Sequence, residues 1–193
     1  MQTQPLDGGF KNAPVDAAHA FRAALDVLAR PGKITDISGA MPPAPLSIAA
    51  GTLALTLCDP ETPIWLAPSL QTDALVAWLK FHTGAPLVDR RSDAMFAIGG
   101  WKELLPITDF AIGTAQYPDR SATLIVEMQT LLNSGATLRG PGIKTTAELS
   151  LPDIKPFQDN ATLFPLGLDF YFTAGSRIAA LPRSTKIGDQ PCM

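Results

Sequence analysis

Apolar residues recur along this chain in two rhythms, one helical and one extended, and each predicts its own elements. Ala17, Phe21, Leu25 and Leu28 repeat at helical spacing, which predicts a first helix with one apolar face. Asp16 stands where its carboxylate can cap the first turn, and Arg30-Pro31-Gly32 ends the helix because the residue before a proline disfavours helical backbone. Ile48 to Leu57 is apolar on nearly every side, the pattern of a buried helix, with Ser47 before it as a cap. A third helix is expected from about Thr72 to Phe81, with Leu75, Trp78 and Leu79 inward and Gly84 closing it. Leu151 to Asn160 is polar and proline-spaced, which predicts a loop or a single weak helical turn.

Between and after these helices the period shortens to two. Ile34–Ile37, Pro63–Ala67, Ala94–Ile98, Leu168–Phe172 and Ile178–Leu181 each read as a short strand, the last two joined by a tight turn at Ala174-Gly175-Ser176. The stretch from Tyr117 to Ile143 holds the clearest alternation: Ala122, Leu124, Val126 and Met128 fall on one side, Thr123, Ile125, Glu127 and Gln129 on the other. Asn133-Ser134-Gly135 then predicts a turn, and Ala136–Arg139 the antiparallel return of a hairpin. At least six strands with early helices predict an α/β fold, a single domain built on a mixed sheet flanked by helices. The boundaries drawn from the pattern are a mobile segment over residues 1–9, one domain over 10–187 and a frayed tail over 188–193.

Composition narrows the classes. At 193 residues the chain has room for one well-buried core, and its 46% hydrophobic and 17% charged content is that of a compact protein. A formal charge of −3 argues against sequence-independent nucleic-acid binding, which needs a basic face. The longest apolar run, Ile48 to Cys58, is shorter than the roughly 20 residues a membrane span requires, and no signal-peptide pattern opens the sequence, so a cytoplasmic location without membrane contact is expected. Two cysteines, Cys58 and Cys192, and two histidines, His19 and His82, lie at no ligand spacing, so no metal is expected.

Candidate chemistry gathers at a few places, each with a structural alternative. Arg139 beside Gly140-Pro141-Gly142 sets a guanidinium next to a corner whose amides could cradle an anion, although the same residues also make a strand-ending turn. His82 closes the third helix and could act as a general base or simply face the negative helix end. Tyr117 and Asp119 concentrate polar groups before a strand, where a proline turn would also explain them. Arg183 and Thr185 follow the last strand and could grip a phosphate or a partner's carboxylate, or protect a sheet edge. Arg22 and Arg30, two turns apart on the first helix, fit a binding patch or a solvated face. Trp65, Trp78 and Trp101 suit partner anchors or core packing.

One set of fragments occurs in a telling order: Gly8-Gly9-Phe10, His19-Ala20-Phe21-Arg22, Leu55-Thr56-Leu57-Cys58-Asp59, Thr62-Pro63-Ile64-Trp65-Leu66, Phe81-His82-Thr83-Gly84-Ala85-Pro86, Leu138-Arg139-Gly140-Pro141-Gly142-Ile143, Phe164-Pro165-Leu166-Gly167-Leu168-Asp169 and Leu181-Pro182-Arg183-Ser184-Thr185. Together, from about Gly8 to Lys186, they resemble the PhnH family, the H subunit of the bacterial carbon–phosphorus lyase system. Ser184 stands where that family is familiar with threonine, which keeps the hydroxyl. The resemblance implies a fold similar to the large domain of pyridoxal-phosphate-dependent transferases, used without that cofactor or any other. It implies a homodimer in isolation and an assembly with G, I and J subunits. It also implies a supporting role in making ribose 1-alkylphosphonate 5-triphosphate from ATP and an alkylphosphonate, with no catalytic residue to carry over. A subunit of a transferase complex that does no chemistry alone is the leading expectation. A stand-alone nucleotide- or phosphoribosyl-binding transferase using Arg139, the Gly140–Gly142 corner and His82 is the alternative, and a degenerate pyridoxal-phosphate enzyme a third.

Overall fold

In the computed structural model, which describes residues 7–188, the chain runs α1 (Ala13–Ala29), β1 (Thr35–Asp36), α2 (Ile48–Leu57), β2 (Ile64–Leu66), α3 (Asp73–Thr83), β3 (Phe96–Gly100), α4 (Trp101–Leu104) and β4 (Thr123–Glu127). It continues through β5 (Ala136–Arg139), β6 (Ala147–Leu149), α5 (Lys155–Thr162), β7 (Asp169–Ala174), β8 (Arg177–Leu181) and β9 (Lys186–Gly188). Leu124, Ile125 and Val126 are consecutive in β4 and all wholly buried. Neighbouring strand residues point to opposite faces, so burying all three requires cover on both sides of the sheet. β4 accordingly sits in the interior of a six-stranded sheet, in the order β1-β8-β7-β4-β3-β2.

Four of these strands, β2, β3, β4 and β7, run parallel, with Ile98 opposite Ile125 and Ile125 opposite Tyr171. β7 turns at Gly175 into antiparallel β8, and β1 closes that edge antiparallel, Thr35 facing Ile178. The alternation of β7 shows what covers each face. Phe170 and Phe172 meet the Phe157 ring of α5, which stacks on Trp101 of α4 at 4.6 Å. Tyr171 points the other way and donates its hydroxyl to the Ala24 carbonyl of α1 at 3.4 Å. Burial pushes the Tyr171 phenol up from its ordinary range, with the Asp169 charge adding to it.

The expected mixed sheet flanked by helices is the one found. Ser47 caps α2, its Oγ accepting from the Ala50 N–H at 3.1 Å, and Gly84 ends α3 in the left-handed region at φ 68. Leu75, Trp78 and Leu79 are fully buried.

Four expectations are corrected. β4 and β5 form no hairpin; β5 pairs with β6 and with β9 in a separate antiparallel three-stranded sheet, Leu138 facing Ala147 on one side and Ile187 on the other. The unbroken Leu-Ile-Val run of β4 marks a parallel strand buried on both faces, which period-two counting cannot separate from a one-sided strand. Helix α1 is turned relative to the expected face: Ala20, Ala24 and Val27 are buried, while Phe21 and Leu25 are 47% and 49% exposed. Small residues let α1 come close enough to the sheet for the Tyr171 contact. Its N-cap is Asn12, whose N–H donates to the Asp16 carboxylate at 2.9 Å, so Asp16 caps from inside the helix. Finally, Leu151–Asn160 contains the start of a genuine helix, α5. Its proline stands in the first turn, where no intrahelical N–H is needed, and Phe157 anchors it.

The short strands β6 and β9 escaped the sequence pattern. Of the expected N-terminal segment and tail, residues 1–6 and 189–193 lie outside the described residues. The Asp7 carbonyl accepts from the Trp78 indole at 3.0 Å, the Gly8 carbonyl accepts from the Met41 N–H at 2.7 Å, and Gly188 faces Thr137 across β5 and β9.

Candidate functional site

Along β5, Ala136 and Leu138 turn into the protein and Thr137 and Arg139 face outward. Across from them on β9, Lys186 is in direct register with Arg139, and Gly188 with Thr137. These residues and Ile187 line a recess of about 360 Å3. The ion pairs among the described residues join Asp26 to Arg30 and Lys33, Arg90 to Asp93, Arg91 to Asp109, Lys155 to Asp159 and Arg183 to Asp169. Arg139 and Lys186 belong to none of them.

The corner after Arg139 has a different job from the one its glycines suggested. Gly142, at φ 80, packs so tightly on the end of α1 that an added Cβ would lie 1.9 Å from the Ala29 carbonyl oxygen. A Cβ on Gly140 would lie 3.1 Å from the Ser184 carbonyl oxygen. The corner is a joint between α1, β5 and the 184–185 segment, and its glycines serve close approach of backbones.

Arg183 is spent inside the chain. Its backbone N–H donates to Asp169 at 2.8 Å, its Nε to both Asp169 oxygens at 3.2 Å, and its Nη1 to the Pro118 carbonyl at 2.7 Å. Its Nη2 reaches Ser121 and Asp169, and the side chain is only 14% exposed. The guanidinium thus clamps the 118–121 loop to the start of β7, a bidentate pairing that lysine could not reproduce. Thr185 beside it is buried, and its Oγ1 has no hydrogen-bond partner among the described residues.

The remaining candidates are scattered over other elements. Tyr117 and Asp119 are exposed in a loop closed by mutual backbone bonds between Thr114 and Tyr117, with the Arg120 guanidinium 4.3 Å above the Tyr117 ring. His82 lies between the rings of Trp78 and Phe81, 5.0 and 4.9 Å away, and a Cβ on Gly9 would lie 2.4 Å from its Cε1. It is a platform for the 7–10 segment. Arg30 pairs with Asp26 at 3.0 Å, and Arg22 is exposed on α1. The Lys33 hydrogen bond, joined by the Arg30 charge, holds Asp26 below the usual carboxylate range. The Arg139 recess is lined by neither His82 nor Tyr117.

Several residues that matter had no motif to betray them. Glu127 ends β4 among the C-terminal ends of the parallel strands, where α/β sheets commonly hold functional groups. Its Oε1 accepts from the Ser47 N–H at 2.8 Å and its Oε2 from the Thr173 hydroxyl at 3.2 Å. Burial still pushes its carboxyl up from the ordinary range. Arg91 donates to the carbonyls of Glu103 and Leu105 at 2.7 and 2.9 Å and lies over the Trp65 and Phe110 rings. Cys58 is buried, its thiol pushed up to about 12 by desolvation and by Asp59, so it is inert as a nucleophile.

A second cleft, of about 860 Å3, opens between Leu105–Thr108 and α5, walled by Leu105, Pro106, Ile107, Ile112, Leu163 and Leu168, with Asp153, Lys155 and Asp159 also lining it. Leu163 and Phe164 are both exposed. Among the described residues no cluster of three His, Cys, Asp or Glu could hold a metal ion, and no helix is long and apolar enough to cross a membrane.

A family model described as bacterial phosphonate metabolism protein (PhnH) matches residues 8–188. The chain is 42% identical to the alpha-D-ribose 1-methylphosphonate 5-triphosphate synthase subunit PhnH of Rhizobium meliloti (strain 1021), over 96% of this chain and 97% of that protein. It is 27% identical to HtxG of Stutzerimonas stutzeri, named as a candidate C-P lyase subunit protein, over 93% of this chain and 94% of that one.

Proposed function

Because the chain belongs to the PhnH family of bacterial phosphonate metabolism proteins, we propose that it is the H subunit of a C-P lyase assembly and supports the synthesis of alpha-D-ribose 1-methylphosphonate 5-triphosphate. The observation that carries this is the end-to-end likeness to a protein named as a subunit of that synthase. The disposition of the polar groups favours a subunit over a lone catalyst. Arg183 is committed to Asp169, His82 is packed under Gly9, and the Gly140–Gly142 corner is closed by α1. The transferase alternative would need Arg139 and His82 to act together, and His82 does not line the recess that holds Arg139.

The partners in this reading are G, I and J subunits, the isolated chain is a homodimer, and the assembly works in the cytoplasm. The mixed sheet with helices on both faces is in keeping with a fold like the large domain of pyridoxal-phosphate-dependent transferases, used here as a scaffold. The 860 Å3 apolar cleft suits a chain that buries surface in an assembly. In a phosphonate-utilising bacterium deprived of its own H subunit, this chain restores growth on methylphosphonate as sole phosphorus source. The purified chain alone releases no adenine from ATP and methylphosphonate. Sustained release by the isolated chain, or failure to restore growth when expressed, overturns the reading.

A further inference from the structure

Two cations held in direct register across neighbouring strands repel each other, and side chains so placed have their Cβ atoms only about 5 Å apart. Arg139 and Lys186 are held in that way, and neither belongs to an ion pair among the described residues. The carboxylate on the same face, Glu148 of β6, stands opposite Thr137, one same-face step along β5 from Arg139. The other neighbours in the recess fit a small, strongly charged guest. Thr137 brings a hydroxyl, Gly188 leaves the floor without a side chain, and Ile187 is the one large apolar neighbour. The recess is small and gives a protein segment little to bury, while a planar guanidinium fork beside an ammonium matches the oxygens of a phosphoryl group.

We propose that the recess between β5 and β9 binds a phosphoryl oxyanion, with Arg139 gripping two oxygens, Lys186 supplying the second charge and Thr137 a hydroxyl donor. The class of ligand is a polyphosphate chain, whether on a free nucleotide or on a ribose 5-triphosphate. Only this choice of ligand rests on the subunit reading; the recess and its charges stand without it. The anion would also relieve the repulsion between the two side chains, so binding and local stability rise together.

The test titrates tripolyphosphate into the intact chain and follows amide resonances, with Lys102→Gln as a control on an exposed lysine of α4. Tripolyphosphate is expected to shift residues 137–139 and 186–188, more weakly at high salt. The Arg139→Gln/Lys186→Gln double variant is expected to bind at least roughly tenfold less tightly, as loss of charge-assisted bonds implies, while Lys102→Gln binds as the parent does. Because both side chains are exposed, the double variant should keep the parent spectrum away from the recess, which separates lost binding from lost fold. ATP and ribose 5-triphosphate as competitors then tell which source of triphosphate is preferred. Undiminished binding by the double variant, shifts confined to other regions, or binding of a glutamate-rich peptide in place of tripolyphosphate each overturn the proposal. If the chain restores growth on methylphosphonate yet leaves tripolyphosphate unbound, the recess proposal alone fails. If it binds through Arg139 and Lys186 but restores no growth, the recess stands and the subunit reading fails.

Discussion

Glu127 carries two hydrogen bonds, from Ser47 and Thr173, and yet burial outweighs them and raises its carboxyl above the ordinary range. A raised value means that the folded chain holds this proton more tightly than the unfolded chain does. Its contribution is therefore fully present below the ordinary carboxylate value and is lost as pH rises through the folded value. Glu127→Gln keeps an acceptor for the Ser47 N–H and removes the charge. The variant should lose that part of the decline, with a urea midpoint that falls less than the parent's as pH rises above the ordinary carboxylate range. Parallel pH profiles for parent and variant would refute this. The same scale explains what the sequence could and could not say about the site. Arginine announces itself in a sequence, but its partners do not: Arg183 and Arg139 looked alike as strand-end cations, and only the fold separates a clamp on Asp169 from an outward pair with Lys186. Lys186 went unnoticed because the three-residue strand that aligns it follows a proline and two turn residues, too short to show a period.

At the level of elements, the joint where Gly142 meets the end of α1 ties the small sheet to the helical layer. Gly142→Ala would combine a left-handed backbone at φ 80 with a Cβ 1.9 Å from the Ala29 carbonyl oxygen. We expect a loss of about 2 kcal/mol or more, read as a fall of roughly 4–8 °C in thermal midpoint for a chain of this size. A midpoint within about 1 °C of the parent would sink the joint, since surface changes cost about that little. Local chemistry made the interior helices legible. Ser47, the apolar run after it and Gly84 act within one or two turns, so α2 and α3 stand where the sequence put them. Pairing is not local. Nothing within Tyr117–Arg139 says that β4 joins β3 and β7 while β5 turns away to β6 and β9. The face of α1 misled for a related reason: close approach to the sheet selected alanines, and Phe21 and Leu25 were left outward.

Across the whole molecule the two sheets are unequal. β3, β4 and β7 are sealed between helices on both faces, whereas β5, β6 and β9 are three or four residues long and turn Arg139, Glu148 and Lys186 to solvent. Amides of the central strands should exchange hydrogen only through global unfolding, and those of the small sheet through cheaper local opening. Hydrogen exchange read by mass spectrometry checks this; equal protection of the two sheets would contradict it. The order of strands also bears on how the chain is made. β8 and β7 lie between β1 and β4, although β1 and β4 precede them by many residues. A growing polypeptide emerging from the ribosome must therefore hold two unfilled sheet edges apart until Leu181 has been translated, and only then can the centre close. Late insertion of that last hairpin makes the window before it the period in which a nascent chain most needs shielding by a chaperone.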